Sequence, residues 1–217
     1  MELKNKKIFF LGDSITAGSG VKSIEDVYWK QLERNTGAIC TGYGIGGTRF
    51  AKQRADDDFE KRGNFCTRAH NMGNDADIIV VFGGTNDYGH GDAPFGKIGD
   101  KTPETFCGAV DNVINTLINK YPDALIVFMT PAHRINDTGR VYNEGGLRCE
   151  RDLAEYVDAI IKICGNYSVP VLDLFRTGGI QPNIDIMRQK FMPDGLHPNE
   201  AGAARIAHRL EMFLRSL

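Results

Sequence analysis

Five short apolar segments, rich in β-branched residues, restrict the fold of this chain more than any other feature. Each is four to six residues long, and none alternates polar with apolar positions. A strand with a continuous apolar sequence is typical of a parallel sheet that is covered on both faces. The predicted strands are residues 7–11, 38–41, 77–82, 124–129 and 169–172.

Segments with helical periodicity lie between and after these strands. The first follows Thr102, a candidate N-cap, and ends before Pro122. The second runs from about residue 146 to 164 and is ended by Gly165, and the third begins at Pro198 as its first helical position. Alternating strands and helices predict an α/β domain of three layers, α/β/α, with a five-stranded parallel sheet. Functional residues are then expected on loops at the carboxyl ends of the strands.

Two polar segments are harder to interpret. Residues 49–74 include three consecutive aspartates and read as a solvated helix and loop. Residues 88–100 are rich in glycine and follow the third strand, and this connection is long enough to shape a pocket.

The composition limits the number of domains and the kinds of molecule that this chain is expected to bind. The 217 residues are 41% hydrophobic and show no shift in composition that would mark a linker, so a single domain over residues 1–217 is expected. The net charge of −2 provides no field that would attract nucleic acid or an anionic membrane. Residues 1–7 are polar and are followed by no signal-peptide core, and no apolar run approaches the roughly 18 residues of a membrane span, which predicts a cytoplasmic protein.

The five cysteines give no sign of a metal site or a disulfide framework. They are odd in number and scattered, and no two form a CxxC pair. We expect reduced thiols, mostly in the core, and no bound metal. The cysteines are Cys40, Cys66, Cys107, Cys149 and Cys164.

A serine follows the first strand at a sharp glycine turn, in the segment Gly12-Asp13-Ser14. A nucleophile would lie there, but a serine hydroxyl needs a base to take its proton and donors to hold the oxyanion. Taken alone, Ser14 is better explained as a helix N-cap. Near the other end of the chain, Asp194 and His197 are three residues apart in one turn, so His197 can serve as the base and Asp194 can orient it. A surface histidine beside a turn aspartate is the alternative for this pair.

Two further segments offer oxyanion donors, and each directly follows a strand. Residues 44–48 (Gly-Ile-Gly-Gly-Thr) expose backbone N–H groups that can approach a substrate closely. In residues 83–87 (Gly-Gly-Thr-Asn-Asp), the Asn86 amide can point its NH₂ group at the same oxygen. Each segment alone is also a common turn sequence.

Together and in this order, these blocks resemble the SGNH family of GDSL-type esterases and lipases over nearly the whole chain. Ser14 matches the nucleophile of the first block, and Gly47 matches the glycine of the second. Asn86 matches the oxyanion asparagine of the third block, and Asp194 and His197 complete the triad in the fifth.

The resemblance implies a flavodoxin-like three-layer fold and an acyl-hydrolase mechanism that uses no metal and no cofactor. It also implies three oxyanion donors, the Ser14 N–H, the Gly47 N–H and the Asn86 side chain. Two adjacent glycines leave open whether Gly46 or Gly47 is the donor. One departure is Gly42, which stands where many members have an asparagine and which is expected to affect loop rigidity rather than chemistry.

A nucleotide-binding domain is the main alternative to an esterase. Residues 42–47 match GxGxxG, the fingerprint of dinucleotide-binding domains, but no strand with an acidic end is evident between Thr48 and Asn74. No glycine precedes a Lys-Ser or Lys-Thr pair, which excludes a P-loop. A ligand-binding α/β domain without catalysis would not need the pair in residues 194–197.

A metal hydrolase is the remaining rival. Its ligands would have to come from histidines that share no helix face at ligand spacing, and exposed loop histidines are the simpler account. The candidate ligands are His70, His90, Asp92 and His133.

The sequence therefore predicts a serine esterase that forms an acyl-enzyme on a small-molecule ester. We expect a short acyl group, such as acetyl, on a polar alcohol such as a sugar, because the loops 88–100 and 133–146 are polar. The alternative is a longer-chain lipase or thioesterase, which needs an apolar groove to bury its acyl chain at about 0.8 kcal/mol per CH₂. Tyr88, Phe95 and Tyr142 could stack on a sugar or could pack the loops.

Overall fold

A five-stranded, all-parallel sheet forms the centre of the computed structural model, which describes residues 1–55, 57–138, 141–142, 148–149 and 151–217. Its strands are β1 Lys7–Gly12, β2 Ile39–Gly44, β3 Ile78–Phe82, β4 Leu125–Met129 and β7 Val171–Leu172. They lie in the order β2-β1-β3-β4-β7, which confirms the α/β prediction. An antiparallel pair, β5 Val141–Tyr142 and β6 Arg148–Cys149, forms a separate small sheet.

Both faces of the sheet are buried, which explains why its strands are apolar at consecutive positions. In β1, Phe9 and Leu11 belong to one hydrophobic cluster, and Ile8 and Phe10 belong to the cluster on the opposite face. All five residues of β3 are buried. Successive side chains of a strand point to opposite faces, so each strand supplies both clusters.

Helices cover the two faces and make the outer layers. The helices α3, α5 and α6 contribute to the cluster that contains Phe9, and α2 and α9 contribute to the cluster that contains Phe10. The helices are α1 Ser14–Ala17, α2 Tyr28–Thr36, α3 Phe65–His70, α4 Thr85–His90, α5 Phe106–Lys120, α6 Leu153–Asn166, α7 Leu174–Thr177, α8 Asp185–Phe191 and α9 Glu200–Ser216, with 3₁₀ turns at Ile24–Asp26 and Glu60–Arg62.

Two predicted helix starts were wrong by a few residues, because the capping side chain lies further along the chain. Thr105, not Thr102, caps α5 by accepting a hydrogen bond from the Gly108 N–H at 3.1 Å. Asn199 caps α9 by accepting from the Gly202 N–H at 3.0 Å, so Pro198 precedes the helix.

The start and the end of α6 also differ from the prediction. The helix begins at Leu153 behind a capping box formed by Asp152 and Glu155. It continues to Asn166, so Gly165 lies inside its last turn and does not end it. Residues 146, 147 and 150 of the predicted segment lie outside the described residues.

The segment 49–74 is not the solvated region that its polar sequence predicted. Phe50, Phe65 and Ala69 are fully buried in the core, and α3 packs against α5. The buried residues are spaced too irregularly to show one helical face in the sequence. Asp56, within the run of aspartates, lies outside the described residues.

Candidate active site

The carboxyl ends of β2, β1 and β3 lie side by side at one edge of the sheet. Gly12 at the end of β1 is in register with Gly44 of β2 and Phe82 of β3. The chain segments that leave these three ends therefore meet, as expected for a parallel α/β sheet. They carry the serine, the glycine loop and the asparagine singled out in the sequence.

Ser14 is the first residue of α1 and not its N-cap. The side chain of Asp13 takes the capping position and accepts a hydrogen bond from the Ile15 N–H at 3.0 Å. The alternative reading of Ser14 as a cap is therefore wrong. Its hydroxyl is directed to another partner, and the residue is 8% exposed.

That partner is His197. The Ser14 Oγ lies 3.0 Å from His197 Nε2, and His197 Nδ1 lies 2.7 Å from the Asp194 Oδ2. A carboxylate only accepts, so the ring proton belongs on Nδ1, and Nε2 is left to accept the serine proton. The structure thus brings together three side chains separated by up to 183 positions in the sequence.

Asp194 is a turn residue and a partner of His197 at the same time. Its Oδ1 accepts hydrogen bonds from the backbone N–H groups of Leu196 at 2.9 Å and His197 at 2.7 Å. Burial raises the pKa of Asp194, but these donors and the imidazole outweigh burial, so the pKa lies below its ordinary value. The carboxylate is therefore ionised and fixed in direction.

The turn that carries Asp194 and His197 is held against the loop after β4. The Ile135 N–H donates to the Gly195 carbonyl at 2.8 Å. Gly195 has a φ of +80°, and a Cβ there would lie 2.4 Å from the Ile135 side chain. Only glycine allows this backbone conformation and this approach together.

Besides the Ser14 N–H, the candidate oxyanion donors lie in the segments that follow β2 and β3. Gly46 lies beside the serine, since a Cβ built on Gly46 would be 3.8 Å from the Ser14 Cβ. Within the described part of the chain, neither the Gly46 N–H nor the Gly47 N–H has an acceptor. The Asn86 Nδ2 donates to the Thr48 carbonyl at 3.1 Å. The choice between Gly46 and Gly47 as donor stays a prediction.

A buried arginine that the sequence did not single out ties these segments together. Arg68 donates from Nη1 to the Thr48 hydroxyl at 2.8 Å, and from Nη2 to the Gly12 carbonyl at 3.1 Å and to the Tyr43 carbonyl. Burial lowers the pKa of Arg68 to about 10, and Asp13 opposes this change. The guanidinium remains charged at neutral pH and links the ends of β1 and β2 to the glycine loop.

The glycine motif at residues 42–47 has a packing role. Gly44 faces α1, and a Cβ there would lie 2.2 Å from the Ala17 backbone nitrogen. The motif ends β2 and enters a turn, whereas a dinucleotide fingerprint opens a helix. Gly42 lies against the ring of Trp29, which fills the space that a larger side chain would need.

Three of the four residues of the hypothetical metal site have separate side-chain partners. His90 contacts Arg49 and Asn86, and Asp92 forms an ion pair with Arg54 at 2.6 Å. His133 Nδ1 lies 2.5 Å from the Asp137 carboxylate.

Two of the three aromatic residues considered for sugar stacking pack against other side chains of the protein, Tyr88 fully buried and Phe95 half-buried. Tyr88 is 1% exposed and donates its hydroxyl to the Asn136 carbonyl. Phe95 stacks on Phe106 with ring centroids 5.8 Å apart. Their packing role is the correct one, and the side chain of Tyr142 and most of the segment 139–146 lie outside the described residues.

Four of the five cysteines, Cys40, Cys66, Cys107 and Cys164, are buried free thiols, and the side chain of Cys149 is outside the described residues. Burial raises the pKa of Cys66 to about 12 and that of Cys107 to about 11.

None of the helices in the described ranges combines the length and the apolar character that crossing a bilayer requires.

Comparison with known proteins assigns the family. The model of the GDSL-like lipase/acylhydrolase family matches residues 10–205. A crystal structure from Lactobacillus plantarum is 32% identical over 98% of both chains, with a TM-score of 0.82. No curated protein sequence matches the chain.

Two more distant structures share the fold. A carbohydrate acetylesterase family member from Sinorhizobium meliloti is 18% identical over 97% of this chain and 98% of its own, with a TM-score of 0.65. A two-domain esterase active on acetylated mannans is 21% identical over 99% of this chain and 50% of its own, with a TM-score of 0.59. The match over residues 10–205 shows that the chain belongs to the GDSL-like lipase/acylhydrolase family and is a carboxylic ester hydrolase.

Proposed function

We propose that this hydrolase is a serine esterase in which Ser14 is the nucleophile, His197 the general base and acid, and Asp194 the residue that orients His197. The observation that carries the proposal is the continuous line of hydrogen bonds from Ser14 Oγ through the imidazole to Asp194. A serine at this separation from an unprotonated ring nitrogen can lose its proton as it attacks a carbonyl.

The reaction then proceeds in two halves. The Ser14 oxygen bonds to the ester carbonyl carbon while its proton moves to His197 Nε2, and the carbonyl oxygen becomes an oxyanion. The N–H groups of Ser14 and Gly47 and the amide of Asn86 donate to that oxygen. The carbon–oxygen bond to the alcohol breaks as His197 returns the proton to the leaving group, and water repeats the sequence to release the acid.

We propose a short acyl group, such as acetyl, on a polar alcohol such as a sugar. Polar residues dominate the described part of the loop after β4, where His133, Arg134 and Asn136 lie near the turn that carries His197. An acetylesterase family member and an esterase active on acetylated mannans share this fold. A long acyl chain would need burial at about 0.8 kcal/mol per CH₂, which polar loops do not supply. A cytoplasmic location remains part of the proposal.

The test is a series of p-nitrophenyl esters from acetate to palmitate, together with acetylated sugars from which acetate release is measured. We expect the highest kcat/KM at the shortest acyl groups and acetate release from the sugars. A kcat/KM that rises steadily beyond octanoate would support the longer-chain lipase instead and would leave the triad intact. The Ser14→Ala variant is the control for spontaneous hydrolysis.

A further inference from the structure

The amide of Asn86 is held at both ends. Its Nδ2 donates to the Thr48 carbonyl at 3.1 Å, and its Oδ1 lies 3.0 Å from the His90 Nε2. A backbone carbonyl can only accept, so the NH₂ end of the amide must face Thr48. Asn86 and His90 are four positions apart on α4, the spacing at which helix side chains meet.

Arg49 determines where His90 carries its proton. The Arg49 Nη2 lies 2.6 Å from His90 Nδ1 and also donates to the His90 carbonyl at 2.8 Å. A guanidinium only donates, so Nδ1 must be the unprotonated ring nitrogen. The single ring proton is therefore on Nε2, where it is donated to the Asn86 Oδ1.

The far end of this chain of bonds is fixed as well. Arg49 pairs with Asp57 through Nη1 at 3.0 Å, and its side chain is 2% exposed. Its guanidinium also lies over the ring of Phe59, 5.1 Å from the centroid. Burial and the charges of Arg49 and Arg134 lower the pKa of His90 to about 4, although Asp57 opposes them, and this keeps the ring neutral.

The direction of every bond is thus set, from Arg49 through His90 and Asn86 to Thr48. Thr48 takes one of the two N–H bonds of the Asn86 amide, and across the described ranges the second has no acceptor. If the amide flipped, it would present a lone pair to the developing oxyanion in place of a donor. His90 opposes the flip, because a flipped amide would leave the Nε2–H without its acceptor.

We propose that His90 is a positioning residue for the oxyanion donor Asn86, held in its Nε2–H tautomer by Arg49. This inference rests on the proposed esterase function. His90 does not touch the substrate, and its effect is exerted on the charge that forms only after Ser14 attacks.

The test compares His90→Phe, which keeps a ring but cannot donate, with His90→Gln, which can still donate to Asn86. A complete oxyanion donor is worth about 10²–10³ in kcat, so losing its alignment should lower kcat by roughly 10- to 100-fold in His90→Phe. We expect little change in KM and partial recovery in His90→Gln. His208→Phe, at an exposed position of α9, is the matched control and should behave as wild type.

Two further measurements separate alignment from general damage. Binding of a trifluoromethyl ketone, whose adduct with Ser14 carries an oxyanion, should weaken in His90→Phe by about the same factor as kcat. Nitrogen-15 NMR of the wild-type protein should show His90 as the neutral Nε2–H tautomer at pH 6, and this reading does not depend on any variant folding.

Outcomes for His90 differ from those for the esterase itself. Unchanged kcat in a folded His90→Phe, a higher KM alone, or an Nδ1–H tautomer at pH 6 would overturn the role of His90 while wild type still cleaves esters. Wild-type protein that cleaves no ester in the series would contradict the proposed function.

Discussion

At the scale of single residues, the proposed mechanism depends on the hydroxyl of Ser14. Ser14→Ala removes the only atom proposed to form the acyl-enzyme, so kcat should fall by about 10⁴-fold or more with the fold intact. Steady-state kinetics and a thermal unfolding curve on the same preparation measure both properties. A variant with unchanged stability that kept a tenth of the wild-type rate would place the nucleophile elsewhere.

Asn86 should act on the transition state and hardly at all on the bound substrate. Its free N–H meets charge that develops only after attack, so Asn86→Ala should lower kcat about 10²-fold, or about 3 kcal/mol, and leave KM within a small factor. Separate kcat and KM values on p-nitrophenyl acetate test this. A normal kcat with a raised KM would assign Asn86 to substrate binding.

The residues proposed to act on the substrate can be predicted from the sequence more readily than the residues that hold them in position. Ser14 directly follows β1, Asn86 lies in the first turn of α4 and His197 lies in the turn before α9, where a motif of a few residues reveals each of them. Arg68 contacts backbone carbonyls of residues distant in sequence, and His90 contacts Arg49, which is 41 positions away. No local pattern encodes these contacts. The i, i+4 spacing of Asn86 and His90 was the one available signal, and it gains meaning only when α4 is known to be a helix.

At the scale of elements, strands such as β3 can be predicted because they bury both faces and are continuously apolar. The edge strand β2 is less buried, and its Ile39 and Thr41 are exposed. The short helices α1, α7 and α8 have four to seven residues, too few to show a periodic face. The predicted end of β2 was three residues early because it runs on through glycines, which have low strand propensity but remain paired with β1.

Two glycines provide a matched test of how β2 and α1 pack. Gly44→Ala would place a methyl group 2.2 Å from the Ala17 nitrogen and so displace the helix that begins with Ser14. We expect a loss of about 1–3 kcal/mol in the free energy of unfolding, together with reduced activity. Thermal unfolding and kcat/KM measure the two effects.

Gly165 is the control, because it lies within α6 with no atom within 4 Å of an added Cβ. Gly165→Ala should gain about 0.5–1 kcal/mol, a rise in Tm of about 1–4 °C, with unchanged activity. A tolerated Gly44→Ala would show that α1 can shift without disturbing the site.

At the scale of the whole molecule, different buried groups change the free energy of unfolding in opposite directions as the pH falls. The pKa of His90 falls from 6.5 to about 4 through burial and nearby arginines. Between these values the unfolded chain binds a proton that the folded chain does not, so the free energy of unfolding falls as the pH falls. Burial raises the pKa of Asp13 and Asp87 to about 6, and these carboxyls favour the folded state as the pH falls from 6 towards 3.8.

The His90→Gln variant lacks the contribution of His90 to this pH dependence and keeps the contribution of Asp13 and Asp87. The free energy of unfolding of the variant minus that of wild type should therefore be more positive at pH 5 than at pH 7.5. Urea unfolding at the two pH values measures the difference, and a difference that does not vary with pH would contradict the buried, neutral state of His90.

The same curves test the proposed single domain, because one domain should unfold in one transition by circular dichroism and by Trp29 fluorescence.

Ser14 and His197 are 183 positions apart. They meet where the turn that carries His197 packs against the loop after β4, and α9 then packs beside α2, where Gln31 donates to the Glu200 carbonyl at 3.4 Å. During synthesis the proposed nucleophile is made early and its proposed base late. A growing chain that has not reached residue 194 can already pair β1 with β3, yet it has nothing to take the serine proton. In refolding of the full chain, a contact between residues so far apart in sequence is also expected to form late. Esterase activity should therefore return after most of the helical signal, and its return indicates that the fold is complete.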